Sequence, residues 1–275
     1  MHSPTILFFI NLFFILCVSG FTEGSSATTI TIENRCSISV YPAIVHVAGT
    51  SVPFTTGFSL QAGESKILTM SDSWRGEVWG RTYCTTDSKG IFTCLTGECA
   101  SSMIECDGRY SNSPATFTEF NLNTKSNGLD YFGVSVVQGY NLPIMVQPQA
   151  RGRRGDCLMK SCMIHLNRIC PLELKLMRGG DCIACKTSDQ PLSKYSKSFK
   201  KACPDANVNA TDTLHGICVS TNYIITFCPS LDQSRIKKSP TKVENKKVWF
   251  VRVAVVVASL LGIAGIGYGG LTIIH

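Results

Sequence analysis

Thirteen of the chain's 14 cysteines lie between Cys36 and Cys228, and no other feature restricts its fold as strongly. The densest group, "CTTDSKGIFTCLTGEC" followed by Cys106, leaves gaps of nine, four and six residues, none of them the closely spaced ligand pair of a structural zinc site. Cysteines cross-link in oxidising compartments and stay reduced in the cytosol, so the compartment decides their use. The N-terminus supplies it. Residues 6–18 (ILFFINLFFILCV) are almost unbroken apolar sequence, followed by Ser19, Gly20, Ser25, Ser26 and Ala27, the pattern of a secretory signal peptide cleaved after Gly20 or Ala27. Taking residues 1–27 as the signal removes Cys17 and leaves an odd number of cysteines in a secreted segment, which are read as disulfides plus one leftover thiol.

The other end carries a second apolar run, "VAVVVASLLGIAGIGYGGLTII" from Val253 to Ile274, with no charged residue. At about 1.5 Å per residue it makes a helix of roughly 33 Å, enough to cross a hydrocarbon core. The expected organisation is a signal peptide (1–27), an extracellular domain (28–230), a polar linker (231–247) and a transmembrane segment (248–275). A GPI anchor replacing the tail, a freely extracellular form and a piece of a longer receptor are the alternatives.

The net charge of +7 is misleading for the working part, because residues 28–230 hold 19 Lys and Arg against 16 Asp and Glu. Residues 28–130 carry 7 basic and 10 acidic groups, residues 151–203 carry 12 and 4. The basic part has few interleaved aromatics and a secretory address, so nucleic acid is a poor partner and an acidic polysaccharide or membrane surface a better one. Segments such as "TTITIENRC", "SISVYPAIVHV", "SKILTM", "ATFTEFNL" and "YFGVSVV" alternate or are β-branched, with turn residues between them. They predict a mainly β fold, sandwich or barrel. From Gly152 to Cys203 this periodicity fades, as expected of a lobe held by cross-links more than by a core, with one short helix in "HLNRICPLELKL".

The motifs "GRTYC", "GIFTCLTGEC", "PATFTEFNL", "GYNLPIMVQP", "ICPLELK", "FKKACPDA" and "TNYIITFCP", in this order, resemble those of the thaumatin-like proteins, the plant pathogenesis-related group 5 family. Two departures stand in the signature block: Glu98 replaces the usual Asp, and one extra residue lies between Cys99 and Cys106. With a membrane span behind the domain, the chain is similar to the ectodomain of thaumatin-like receptor kinases, without a kinase. The resemblance implies a β-sandwich with a disulfide-rich loop lobe, no cofactor and no metal. It further implies the pairs Cys36–Cys228, Cys84–Cys94, Cys99–Cys106, Cys157–Cys218, Cys162–Cys203 and Cys170–Cys182, with Cys185 left as a free thiol because three of the family's usual sixteen cysteines are missing.

Function in the family is attributed to an acidic cleft, and the matching positions here are Arg81, Glu119, Gly133, Gln138 and Asp212. Gly133 and Gln138 stand where the family has aspartates, so the cleft is expected to keep its edges and lose its acidic centre. Glu119 and Asp212 are then the remaining candidate catalytic pair. The implied function is a plant cell-surface defence or wall-associated protein with a carbohydrate-binding cleft. The alternative is a weak endo-β-1,3-glucanase using Glu119. Expected partners are a cell-wall polysaccharide, β-glucan or pectin, the membrane, and a co-receptor. A nearly neutral cleft floor beside Lys194, Lys197, Lys200 and Lys201 favours pectin, unless those lysines form only a solvated helix face.

Three smaller features complete the reading. "NAT" at Asn209 is a glycosylation sequon. Arg151–Arg154 and the tripeptide Arg154-Gly155-Asp156 fit a solvated loop. His46, His165 and His215 lack ligand spacing and read as surface or core residues.

Overall fold

The computed structural model describes residues 27–71, 73–122, 128–149, 155–187, 194–213, 215–220 and 222–230. The hydrophobic run at 6–18, the basic run at 151–154 and the apolar run at 253–274 lie outside them. Among the described residues no helix is long and apolar enough to cross a membrane.

Strand β1 (Thr28–Asn34) buries every second side chain, placing Ile30 and Ile32 inward. It pairs antiparallel with β3 (Ser65–Met70) and parallel with β13 (Asn222–Phe227). Joining the first strand to the last closes the longest loop in the chain, and Cys36–Cys228 locks that pairing just beyond its end. The sheet continues through β8 (Ile144–Pro148) to β9 (Lys160–Cys162).

A second sheet has the order β12 (Gly216–Cys218), β7 (Asp130–Ser135), β6 (Phe117–Asn121), β4 (Arg75–Thr86) and β2 (Tyr41–His46), with β5 (Phe92–Thr96) beside the far end of β4. Its inner face turns Val78, Phe120, Phe132 and Val134 into the same core as Ile30, Ile32 and Tyr223. The Tyr223 ring bridges the two sheets, 5.4 Å from Phe120 and 5.3 Å from Phe132. Each such side chain, fully buried, contributes roughly 1.5–3 kcal/mol.

The longest strand, β4, was not among the segments that read as strands. Its sequence, RGEVWGRTYCTT, has Gly76 and Gly80 at inward positions, which removes the apolar alternation. Both glycines answer to close approach. A Cβ at Gly76 would stand 2.1 Å from the Val45 carbonyl oxygen, and one at Gly80 would stand 2.9 Å from Val40 Cγ1 and 3.0 Å from the Phe227 ring.

The outer face of this sheet is divided. At one end Val45, Trp79 and Phe117 pack with Cys99, Cys106 and Ala115, and Trp79 Nε1 donates 2.7 Å to the Gly97 carbonyl. The other end is open, and the site lies there.

The cysteine-rich part differs from expectation in two ways. In place of one helix, two 3-10 turns, Leu166–Arg168 and Leu172–Leu174, flank Cys170 and Pro171, because proline has no N–H to continue a helix. Nor does the lobe depend on cross-links alone. A hairpin of β10 (Lys175–Arg178) and β11 (Asp181–Cys185) and a helix α1 (Lys194–Ala202) feed the main core through Cys185, Tyr195 and Phe199. The Tyr195 hydroxyl donates 2.6 Å to the Val136 carbonyl, and the Tyr195 and Phe199 rings pack tilted with centroids 4.1 Å apart.

The disulfides are Cys36–Cys228, Cys84–Cys94, Cys99–Cys106, Cys157–Cys218, Cys162–Cys203 and Cys170–Cys185. The last corrects the pairing of Cys170 with Cys182: Cys185 is bonded, and among the described residues Cys182 is the free thiol. Position along the hairpin is the reason. Cys185 lies at its root, wholly buried, exchanging backbone hydrogen bonds with Tyr140, in the same core as the buried Cys170. Cys182 lies toward the free tip, beyond a bulge between Leu176 and Met177, and is only half-buried.

Candidate functional site

Strand register builds the site. On the outer face of the second sheet, Val45, Glu77, Glu119 and Gly133 are successive cross-strand neighbours from β2, β4, β6 and β7. Two residues along, Arg75, Asn121 and Tyr131 form a parallel row. Side chains alternate between sheet faces, so both rows point the same way. From these rows Glu77, Glu119, Arg75, Asn121 and Tyr131, together with Val47 and His215, line a cavity of about 440 Å³.

His215 precedes Gly216, which pairs with Phe132, so His215 falls beside Gly133. Gly133 has no side chain, and the imidazole reaches over it to Glu119, with Nε2 3.6 Å from Oε2. An aspartate at position 133 would put a third carboxylate in that gap. The gap left where the resemblance places an aspartate is thus spanned by histidine.

The two glutamates are neighbours in unlike surroundings. Burial and the nearby Glu119 charge push the Glu77 carboxyl up to about 7, and its Oε2 is buried with no hydrogen-bond partner. Burial alone would raise Glu119 as well. Hydrogen bonds from His215, Ser135 and Asn207 outweigh it and hold Glu119 below the usual glutamate range. His215 is raised by its bond to Glu119, against the opposing effect of burial. Near neutral pH the floor therefore carries one firm carboxylate and one carboxyl close to its midpoint, with an amide from Asn121, the Tyr131 ring and the exposed Arg75 beside them.

Of the residues read as cleft positions, Glu119 lines the cavity, and Gly133 lies beside it in the sheet. Gln138 is in an exposed turn. Asp212 accepts from Lys200 Nζ at 3.1 Å and the Val208 N–H at 2.8 Å, holding the 208–212 turn. Arg81 is fully buried. Its guanidinium donates to the carbonyls of Tyr41, Pro42 and Ile104, and burial lowers it to about 10. Asp212 and Arg81 do not line the cavity, and the carboxyl beside Glu119 belongs to Glu77.

Glu77 and His215 escaped the sequence reading because neither has a local signature. Only the register of β4 against β6 and of β12 against β7 brings them to Glu119. Alternation through "RGEVWGR", which puts Arg75, Glu77, Trp79 and Arg81 on one face, was the available signal for Glu77.

The lysines read as a basic wall divide as well. Lys197 and Lys201 are exposed on α1, while Lys200 is held by Asp212 and the Ala206 carbonyl. In the tripeptide at 154–156, the Asp156 carboxylate accepts from the Ile217 and Leu158 N–H groups, 3.2 and 3.4 Å away.

A family model described as the Thaumatin family matches residues 34–191. Thaumatin-like protein 1 of Arabidopsis thaliana is 38% identical over 254 residues, spanning 84% of this chain and 97% of its own. A PR5-like receptor kinase of the same plant is 36% identical over 285 residues, covering 92% of this chain but only 42% of the kinase, so this chain spans less than half of that relative. A glucan endo-1,3-beta-glucosidase of Prunus avium is 37% identical over 230 residues, spanning 75% of this chain and 92% of its own.

Proposed function

This chain belongs to the thaumatin family, and from that membership and the site geometry we propose that it is a plant cell-surface, defence- or wall-associated protein that binds a wall polysaccharide in the Glu77–Glu119–His215 cavity. The observation that carries the reading is the cavity's floor: two carboxyl groups, an amide, an imidazole and a tyrosine ring face one space of about 440 Å³. Sugars are recognised by such mixtures, hydroxyls by convergent polar groups and ring faces by aromatics.

In the same reading, residues 1–27 direct secretion, residues 28–230 form the binding domain, and residues 248–275 hold it at the membrane. Asn209 carries an N-glycan. Its sequon forms an exposed turn in which the Thr211 hydroxyl donates 2.6 Å to Asn209 Oδ1. Release from membranes by phosphatidylinositol-specific phospholipase C would replace the transmembrane anchor with a GPI anchor.

Hydrolysis is the second reading, favoured by two adjacent carboxyls whose titration is pushed in opposite directions and by the Prunus relative named a glucan endo-1,3-beta-glucosidase. Glycoside cleavage needs carboxyls that flank the bond. Glu77 and Glu119 are instead side by side on one floor, which suits binding better.

One experiment separates the readings. The full chain in detergent is titrated with soluble β-1,3-glucan, and reducing ends are assayed in parallel. Binding without release of reducing ends, weakened about tenfold in Glu119→Gln by loss of a charged hydrogen bond, is the expected result. Turnover that Glu119→Gln abolishes would establish the hydrolase, and binding indifferent to Glu119 would remove the cavity from the function.

A further inference from the structure

Glu77 is used neither by the packing of the sheet nor by the ion pair that holds Glu119. It stands on a strand, so its position is rigid, and it is the immediate cross-strand neighbour of Glu119, where Cβ atoms are roughly 4.5–5.5 Å apart. Both side chains line the cavity. One Glu77 oxygen is buried without any partner, although buried polar atoms are nearly always paired. An ionised carboxyl there would put negative charge on an oxygen that nothing solvates, next to a second carboxylate. A neutral carboxyl avoids both costs.

We propose that Glu77 determines which glycans this cleft accepts, by presenting a neutral carboxyl that donates to a sugar hydroxyl while the Glu119 carboxylate accepts from the next. This rests on the polysaccharide-binding reading given above. A glycan without charge meets one donor and one acceptor set side by side, a match to neighbouring hydroxyls. A chain of uronic acids meets the Glu119 carboxylate and, once Glu77 ionises, two. The cleft therefore favours neutral polysaccharide over de-esterified pectin, and it weakens its hold as Glu77 loses its proton.

Among the described residues, the charged and titratable groups facing Glu77 are few. Glu119 on β6 disfavours its ionisation, and Tyr110, in the loop after Cys106, feels the Glu77 charge in turn. Arg75 on β4, Tyr131 on β7 and His215 ahead of β12 share the cavity. From β2 the residue opposite Glu77 is Val45, which brings no charge. His215 titrates nearby, so it is the competing source of any pH dependence, and the variants must separate the two.

The test uses the full chain in detergent with two probes, soluble β-1,3-glucan and de-esterified pectin, at about pH 5 and about pH 9, either side of the Glu77 midpoint near 7. Expected is neutral-glucan binding about tenfold weaker at the higher pH, the loss of one hydrogen bond, and weaker pectin binding at both. Glu77→Gln keeps an uncharged donor, so its glucan binding should stay at the acidic-pH level throughout. Wild-type binding equal at both values, pectin preferred over glucan, or a pH dependence surviving in Glu77→Gln would each overturn the assignment. The last of these would transfer the effect to His215. If no neutral glycan binds at either pH, the polysaccharide-binding reading itself fails, an outcome distinct from a glucan-binding protein indifferent to Glu77.

Discussion

The imidazole Nε2 of His215 lies 3.6 Å from Glu119 Oε2, across a strand position that Gly133 leaves without a side chain. This contact makes the pair a pH-dependent element of stability. Glu119 is lowered on folding, so its contribution is present above its unfolded value of 4.5 and is lost as pH falls through the folded one. His215 is raised, so its contribution is present below 6.5 and is lost as pH rises through the folded value. The difference in melting temperature between wild type and His215→Gln should therefore be largest between these two values and shrink on either side. Both groups are about one-third exposed, so the effect is about 1 kcal/mol or less. A difference that grows above pH 8 would contradict the pairing.

Glu77 should act in the opposite sense. Its folded value is raised from 4.5 to about 7, so the folded state binds its proton more tightly, and stability falls as pH rises between those values. The gap corresponds to about 3 kcal/mol. Glu77→Gln should leave stability unchanged near pH 4 and raise it by up to that amount near pH 8, read from urea midpoints at constant slope. A variant less stable than wild type at pH 8 would show that the carboxylate has a partner.

Arg81 should prove structural. Truncation to methionine deprives the carbonyls of Tyr41, Pro42 and Ile104 of their donor inside a fully buried site. The expected loss is about 3 kcal/mol by chemical denaturation, with glucan affinity of the folded protein unchanged. Lost affinity at full stability would return Arg81 to the cleft.

The cysteine assignment is testable by mass. A non-reduced digest should contain a peptide joined through Cys170 and Cys185, and iodoacetamide should label Cys182 in the folded protein. Cys185→Ala should cost about 2–4 kcal/mol and Cys182→Ser much less. Equal penalties, or a Cys170–Cys182 peptide, would restore the pairing implied by the resemblance.

Much of this molecule is legible from its residues alone. The β-rich core follows from period-2 segments such as "TTITIEN", which became β1, and "ATFTEFNL", which contains β6, because alternation is a local property that survives without knowledge of partners. Seven ordered motifs were enough to place the chain in its family. The same reading missed β4, whose inward glycines erase alternation, and paired Cys170 with Cys182 as the resemblance implies, where the structure pairs it with Cys185. Only the tertiary structure separates the root of a hairpin from its tip. The site was decided there too. Glu77, Glu119, Gly133 and His215 come from β4, β6, β7 and the approach to β12, and a shift of one residue in any of these pairings would turn that strand's contribution to the other face of the sheet. Register depends on burying the whole inner face at once, a sum over contacts distant in sequence, so no local pattern could have brought these four residues together.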